Sequence, residues 1–591
     1  MTRDESYHHT TEEPLSNVKI AEVFDQVGDL LEFKAANPFR VRAYRNAARM
    51  IGSLTQPLHE SVASGADLTE IEGIGDDLAS KITELVRTGG LEMLRELLAE
   101  IPPSVMQLLR IPGVGPKKAA VLFHELGIKD LEALKQACEA GRVRGLKGFG
   151  AKTEQSILQG IAIAAQANQR MFWADADAVA QSLRAHLRHC KSIEKFEFAG
   201  SYRRGKDTIG DLDLLVVSPD VEDVMDCFGA FPGIQQVIGR GETKMSVRLE
   251  SGLQIDLRVV PAESFGAALQ YFTGSKEHNV VLRGMAKQAG LKINEYGVFR
   301  VHGDREEYVA GATEKEVYAS LDLPVFPPEL RESRHEFELA KARQLPRLIE
   351  LDDIRGDLHM HTTATDGKAS IEQMVEAAQQ RGLSYIAITD HSQRVSMARG
   401  LTVDRVLEQW KTIDQLRKHL DESFTLLKGI ECDILEKGGM DLPDEVLAEA
   451  DWVLASVHYG QRQSRAEITD RILGALENPH VTAIAHPTGR LLNQREPYEV
   501  DIEAVFKSAK KHHKFLELNA NPHRLDLHDL HCAMAKEYGI PIVISTDAHS
   551  VSGLDVMRCG ILQARRGGLE KADVVNTRPW SEVKKLIRKQ K

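Results

Sequence analysis

KFEFAGSYRRGKDTIGDLDLLVV, residues 195 to 217, decides the fold of the middle of this chain. Apolar alternation before Gly200 predicts a strand, Gly200-Ser201 a turn, and Asp211 to Val217 a second strand. Residues i and i+2 of a strand share a face, so Asp211 and Asp213 direct both carboxylates to one point. Leu212, Leu214 and Leu215 supply the apolar setting. Asp256, in LQIDLRVV, again falls mid-strand, 45 residues beyond Asp211, where a buried acid needs a reason. Three carboxylates converging from two strands make an oxygen-rich site for two divalent ions such as Mg²⁺. The basic loop between the strands, with Arg203, Arg204 and Lys206, suits a triphosphate tail. Two surface carboxylates on an edge strand are the poorer account, because the spacing and the third acid are hard to obtain by chance.

This arrangement resembles the polymerase β nucleotidyltransferase superfamily. YFTGSKEHNVVLR, Tyr271 to Arg283, resembles the nucleotide-binding element of the family X DNA polymerase thumb. Alone, Tyr271-Phe272 would read as a core aromatic pair. The resemblance implies that Gly200, Ser201 and Arg204 hold the triphosphate, while Asp211, Asp213 and Asp256 hold Mg²⁺ or Mn²⁺. Asp256 would also help activate the primer 3′-hydroxyl. Tyr271 and Phe272 would lie against the incoming sugar beside Gly274, Asn279 would touch the base, and Arg283 the template strand. The chemistry implied is in-line phosphoryl transfer with pyrophosphate leaving.

Upstream, three segments align without gaps: IEGIGDDLASKI from Ile71, IPGVGPKKAAVL from Ile111 and LKGFGAKTEQSI from Leu146. Each places Gly-apolar-Gly before an amphipathic stretch, with glycines at Gly73 and Gly75, Gly113 and Gly115, and Gly148 and Gly150. Glycine suits a tight turn between helices, and the next helix N-terminus offers free amides to a phosphate. The pattern resembles the helix-hairpin-helix motif, which grips the DNA backbone. Lys117, Lys118, Lys147 and Lys152 flank the last two hairpins and suit phosphate contacts, whereas the first carries Asp76 and Asp77. Lys81 occupies the position of the polymerase β lyase lysine, with Arg40 and Tyr44 matching its pocket. The acids beside it favour its protonated form, so weak or no sugar-phosphate lyase activity is expected.

Downstream, LPVFPPELRES, Leu323 to Ser333, reads as a semi-rigid connector followed by a charged helix to about Ile349. Seven short apolar runs then recur, most separated by helix-length segments, with metal-type residues at their C-terminal ends. They supply His359 and His361 with Asp366 just after, then His391, Glu431, His458, His486, Asp547 and His549. Residues 351–591 hold 13 of the 22 histidines. Parallel strands joined by helices, with chemistry at the strand ends, predict a TIM-like barrel with one unit fewer than usual. Nine N/O ligands exceed one ion's appetite, so two or three divalent metals (Mn²⁺, Zn²⁺ or Fe²⁺) are expected. These segments resemble the polymerase-and-histidinol-phosphatase (PHP) domain, with all nine of its ligand positions filled. Arg524 and Arg558 are further candidates for phosphate contact, each equally well a solvated arginine.

Composition bounds the rest. The 591 residues carry net charge −12, with 27% charged and 42% hydrophobic, so disorder and a bulk basic surface are excluded. No apolar run reaches membrane-spanning length, and six scattered cysteines without a CxxC pair fit a reducing cytosol. The expected architecture is multidomain, with an α-helical helix-hairpin-helix region, an α+β palm and thumb, and a C-terminal (β/α)7 PHP barrel. The expected boundaries are 1–95 for a lyase-like helical domain and 96–172 for a fingers-like hairpin region. The palm follows at 173–262, the thumb at 263–325, a linker at 326–350 and the PHP domain at 351–591. The implied function is a family X DNA polymerase filling short gaps in base excision repair. The PHP domain would be a metal-dependent 3′-5′ exonuclease and candidate abasic-site endonuclease. Expected partners are gapped or nicked DNA and deoxynucleoside triphosphates, with no membrane, acting as a monomer in the cytoplasm at the nucleoid. The rivals are a PHP-type small-molecule phosphatase and a non-catalytic DNA-end-bridging scaffold. The paired carboxylate and histidine constellations argue against both.

Overall fold

The computed structural model describes residues 17–588 apart from 35, 54–57, 72, 102–107, 109–113, 115, 147, 151–152, 156, 159–169 and 304. It divides into two units, Met1–Gln169 and Arg170–Lys591.

The first unit is helical. Asn17–Phe33 packs against Pro38–Ser53, and Phe24, Tyr44, Ile82 and Leu122 are buried in one shared core. The helix Asp76–Thr88 begins where the first hairpin predicts. Gly73 takes φ +88°, a conformation open to glycine, and Gly75 caps the helix. Asp76 and Asp77 occupy its first turn, where their charge suits the dipole, and Leu78, Ile82 and Leu85 bury one stripe. Gly148 repeats the turn at φ +86°. Gly113, Gly115, Lys147, Lys152 and the side chain of Lys117 lie outside the described residues.

After a short strand, Met171–Phe172, and a helix, Trp173–Leu187, the second unit builds a five-stranded sheet. Its strands are β1 (Lys195–Phe198), β2 (Asp211–Val217), β3 (Ile234–Arg240), β4 (Lys244–Leu249) and β5 (Gln254–Val259), in the order β1-β2-β5-β4-β3. The pair β2–β5 is parallel and sets Asp213 opposite Asp256. A one-residue slip would turn one of the two acids to the other face.

Two helices, Phe265–Thr273 and Lys276–Gln288, lead into a three-stranded antiparallel sheet of β6 (Leu291–Asn294), β7 (Gly297–His302) and β8 (Arg305–Ala310). Their core closes on Leu282, Val298, Val317, Tyr318, Phe326 and Phe337. Here the structure departs from the sequence expectation. Leu323 to Ser333 is no free connector: Phe326 is sealed in this core, and Arg331 is fully buried on Glu314. Nor does a helix run to Ile349. It spans Glu336–Lys341 and ends before Arg343, which sits at φ 58°, with Pro346 beyond.

The barrel follows. Its strands are β9 (Gly356–Asp357), β10 (Tyr385–Ile388), β11 (Thr425–Asp433), β12 (Trp452–Ser456), β13 (Ala483–Ile484), β14 (Phe515–Asn519) and β15 (Ile542–Ser545), all parallel and in chain order. Alternate residues form two cores. Tyr385, Leu427, Trp452, Phe515 and Val543 meet inside with Val583 of the helix Trp580–Arg588, whereas Ile386, Leu426, Val453, Leu516 and Ile542 pack under the surrounding helices. Fully burying each such side chain contributes about 1.5–3 kcal/mol. The ring closes not through the named strands but just beyond them: His361 N donates to Ala548 O (2.8 Å) and Asp547 N to His359 O (2.9 Å). The segments that close the barrel are therefore the ones carrying four of the candidate ligands.

Candidate active sites

In the palm, the strand register places Asp213 beside Asp256, with Asp211 one pleat away on the same face. Gly200 takes φ +63°, and a Cβ there would lie 2.5 Å from Asp213 Oδ2, so only glycine lets this turn pass the carboxylate. Burial, then the charges of Asp211 and Asp256, push the Asp213 carboxyl up to about 7. Asp211 is raised for the same reasons, burial first and then Asp256. Burial also opposes ionisation of Asp256, but hydrogen bonds from Lys244, Ser246 and Gln254 outweigh it and hold the carboxyl below its usual range. Lys244 Nζ lies 2.8 Å from Asp256 Oδ2. Two of three acids are thus held towards neutrality by burial and then by crowded negative charge, a stress that divalent cations relieve. The donor set is all oxygen and fits Mg²⁺ or Mn²⁺.

The residues expected to hold a nucleotide make the following contacts. Arg204 donates through Nε to Glu332 (3.0 Å) and through Nη1 to Thr273 O. Tyr271 and Phe272 make an edge-to-face pair at 5.2 Å, and Arg258 lies 4.6 Å over the Phe272 ring. The Asn279 amide is buried and engaged internally, accepting from Gln270 (2.7 Å) and donating to Tyr271 O (2.7 Å). Arg283 is exposed, its Nε donating to Asn279 O (3.2 Å). In the first unit, Lys81 is paired with Asp77, and Tyr44 donates to Met93 Sδ (3.1 Å).

In the barrel, the structure brings all nine candidate ligands to the C-terminal mouth of the strands. His361, Asp366, His391 and His549 form one group of atoms within 4.8 Å of one another, His359, His361 and Asp547 a second, and His391, Glu431 and His458 a third. His486 Nε2 lies 2.9 Å from Glu431 Oε1, which joins it to the third. Glu431 sits on β11 at the inward alternation of Leu427 and Gly429, so the apolar floor passes directly into the ligand layer. Two ligands, His486 (φ 31°) and Asp547 (φ 55°), hold the left-handed backbone region, which costs of order 1–3 kcal/mol and typifies functional positions.

Burial works against a charged His391, but Glu431 and Asp366 overcome it and raise the imidazole to about 10. Burial, then His391, depresses His361 to about 4, and burial with Arg524 depresses His486 to about 3. His359 Nε2 and His361 Nδ1 are buried without a well-directed hydrogen bond, while His391 Nδ1 and Glu431 Oε2 face each other at 2.8 Å. Such groups are costly to leave unpaired, and this set of nitrogen and oxygen donors would suit divalent metal ions.

Sequence reasoning missed the residues that aim these ligands. Glu517, fully buried on β14, accepts from His359 Nδ1 (2.6 Å) and from the amide of His486 (2.8 Å). Asp433 does the same for His458 at Nδ1 (3.1 Å) and at its amide (2.9 Å). Fixing one ring nitrogen directs the other at the metal. The signal was present: Glu517 stands inside the apolar run FLELNAN, as Asp256 stands inside LQIDLRVV. Arg524 Nε lies 3.6 Å from Asp547 Oδ2, whereas Arg558 is spent on Asp177, away from this cluster.

Family profiles match along the chain: a helix-hairpin-helix domain at 16–91 and a SAM-like helix-hairpin-helix tandem at 105–162. The DNA polymerase beta palm matches at 170–241, the DNA polymerase beta thumb at 268–332, and the PHP domain at 357–521. The chain is 42% identical over 572 residues to the DNA polymerase/3′-5′ exonuclease PolX of Bacillus subtilis (strain 168), covering 96% of this chain and 99% of that protein. It is 27% identical over 312 residues to DNA polymerase lambda of Rattus norvegicus, covering 48% and 52%. A probable phosphatase of Caldicellulosiruptor saccharolyticus is 31% identical over 216 residues, 35% of this chain and 83% of that one.

Proposed function

The chain belongs to the family X DNA polymerases that carry a C-terminal PHP domain, and on that premise we propose that it fills short gaps in DNA during base excision repair and trims 3′ ends in its barrel. The observation that carries this reading is the presence, in one chain, of the register-paired palm acids and the barrel cluster of eight candidate ligands, with His486 joined to it through Glu431. A phosphatase reading covers the barrel alone and leaves the palm without a purpose.

In the palm, Asp211, Asp213 and Asp256 hold Mg²⁺ or Mn²⁺, and Asp256 helps take the proton of the primer 3′-hydroxyl. Gly200, Ser201 and Arg204 hold the triphosphate, Tyr271 and Phe272 flank the sugar beside Gly274, and Asn279 and Arg283 face base and template. In the barrel, the nine ligands hold two or three ions (Mn²⁺, Zn²⁺ or Fe²⁺), with Arg524 placed to meet a phosphate. When bound, these ions supply activation of water and stabilisation of charge on the phosphate. The protein's own part is to fix the ligand tautomers through Glu517 and Asp433 and to bury the cluster among strand ends. Abasic-site incision by the same centre, gapped or nicked DNA as substrate, action as a monomer and a cytoplasmic, nucleoid-associated location complete the proposal. No helix among the described residues is long and apolar enough to cross a membrane. The domain boundaries proposed are 1–95, 96–172, 173–262, a thumb from 263 that takes in Phe326 and Phe337 of the stretch 326–350, and 351–591.

Primer extension and 3′ digestion on a gapped duplex, first with Mg²⁺ and then with Mn²⁺, test the proposal. Extension by deoxynucleotides together with 3′ shortening in their absence is expected. A protein that hydrolyses small phosphomonoesters and neither extends nor shortens DNA would overturn it.

A further inference from the structure

Glu332 lies in the stretch that joins thumb to barrel, and its carboxylate is a meeting point. Oε1 accepts from Arg204 Nε (3.0 Å) and from Arg566 Nη1 (2.9 Å), and Oε2 lies 3.3 Å from Lys206 Nζ. Arg566 belongs to the barrel, on the helix Met557–Arg566, and is only 4% exposed. The same Nη1 donates to the backbone carbonyl of Arg204 (2.9 Å), while Nη2 donates to Asp529 (2.7 Å), which also takes Arg334 (2.8 Å). Arg566 thus holds both the main chain of Arg204 and the acid that orients its side chain. Four cations, Arg204, Lys206, Arg334 and Arg566, share two carboxylates, so this cluster carries an excess of positive charge beside the phosphate loop. The third guanidinium nitrogen of Arg204, Nη2, has no hydrogen bond among the described residues.

From this we infer that Glu332 and the barrel's Arg566 are positioning residues of the polymerase nucleotide site, holding Arg204 in the pose that receives the triphosphate. The inference rests on the reading of Arg204 as a triphosphate contact. A guanidinium already fixed on two edges loses less freedom on meeting phosphate, so the gain is in nucleotide binding rather than in the chemical step. The nuclease domain is then part of the polymerase's binding apparatus. A buried acid shared by two arginines is what couples them, because removing either cation leaves the other facing the whole carboxylate charge.

Incorporation on a gapped duplex by the full-length protein tests this. Glu332→Ala and Arg566→Gln are each expected to raise KM for the deoxynucleoside triphosphate about tenfold, the scale of one charge-assisted hydrogen bond, with kcat changed less than about twofold. Glu332→Gln, which keeps an acceptor, and Arg566→Lys, which keeps a cation, recover part of the loss. In an Arg204→Gln background neither change adds to KM, because all act through one side chain. Mn²⁺-dependent 3′ digestion by Arg566→Gln stays at the parent level, reporting a folded barrel; if that variant does not fold, the Glu332 pair carries the test. A raised KM in Arg204→Gln with unchanged KM in Glu332→Ala, or full additivity in the double variants, overturns the inference and leaves the role of Arg204 standing. An unchanged KM in Arg204→Gln overturns the reading of the phosphate loop itself.

Discussion

The palm and the barrel use the same residue chemistry in opposite ways. The palm offers three acids from two strands on an open face, with Lys244 on Asp256. The barrel gathers nine groups from six of its seven strands and their following loops, with His359, His361, Glu431 and His486 at 2% exposure or less. In the barrel the ligand geometry is set by folding, since the hydrogen bonds that close the ring flank His359 and Asp547. In the palm three carboxylates alone supply too few oxygens for two octahedral ions, so water or substrate oxygens would have to complete the set. A closed scaffold suits a resident metal cluster, and an open edge suits ions that enter with substrate.

The sharpest way to break that contrast is to empty one site at a time. His359→Ala with His361→Ala is expected to lower 3′ digestion by at least about a thousandfold while extension persists. Asp211→Ala with Asp213→Ala does the reverse. Digestion and extension time courses on one gapped substrate check both. Loss of both activities in either folded variant would show that the centres are not separable.

Next in size is Glu517→Gln. The neutral amide no longer fixes the His359 ring as an anion does, so metal affinity of the barrel is expected to fall about ten- to a hundredfold. Metal retained through dialysis against a graded chelator series reads this without reference to activity. Unaltered retention would make Glu517 a packing residue only.

How far the sequence led follows the same contrast. Each barrel ligand ends an apolar run, so strand and ligand announce one another, and the palm acids keep the period of a strand. What was not legible arises from partners far apart in the chain. Glu332 and Arg566 are 234 residues apart, and Glu517 and His359 158. The connector reading of Leu323 to Ser333 failed for a related reason. Proline spacing describes backbone stiffness, but Phe326 and Arg331 are placed by a pocket that the thumb builds around them.

A smaller effect concerns acid. Burial opposes ionisation of Glu332, but Arg566, Lys206 and Arg204 overcome it and hold the carboxyl down to about 2. A folded pKa below the unfolded one stabilises the protein fully above the unfolded value, near 4.5. That contribution is lost as pH falls from there towards 2. Glu332→Gln lacks it at every pH. The gap in thermal midpoint between parent and variant is therefore expected to be constant from pH 7 to 5 and to narrow below about 4.5. A gap that widens on acidification would contradict the assigned charge state.

The smallest effect expected is at Lys81. Schiff-base chemistry on a sugar aldehyde needs a neutral amine. Burial of Lys81 favours that form, but hydrogen bonds and charge from Asp77 and Tyr44 outweigh it and raise the ammonium above its usual value. The Lys81–Asp77 pair spans i to i+4 on the helix Asp76–Thr88, so the helix itself keeps the acid in place. Arg40 and Tyr44 also meet at Met93. Weak or absent sugar-phosphate lyase activity follows, with abasic-site processing left to the barrel. Borohydride trapping on an incised abasic duplex is expected to give little covalent product in the parent protein. Asp77→Asn removes the restraining charge, and a several-fold rise in trapping is expected if Lys81 is otherwise in place. Efficient trapping by the parent that vanishes in Lys81→Ala would show that Asp77 does not restrain the amine. It would also make the first unit a third catalytic region beside the palm and the barrel.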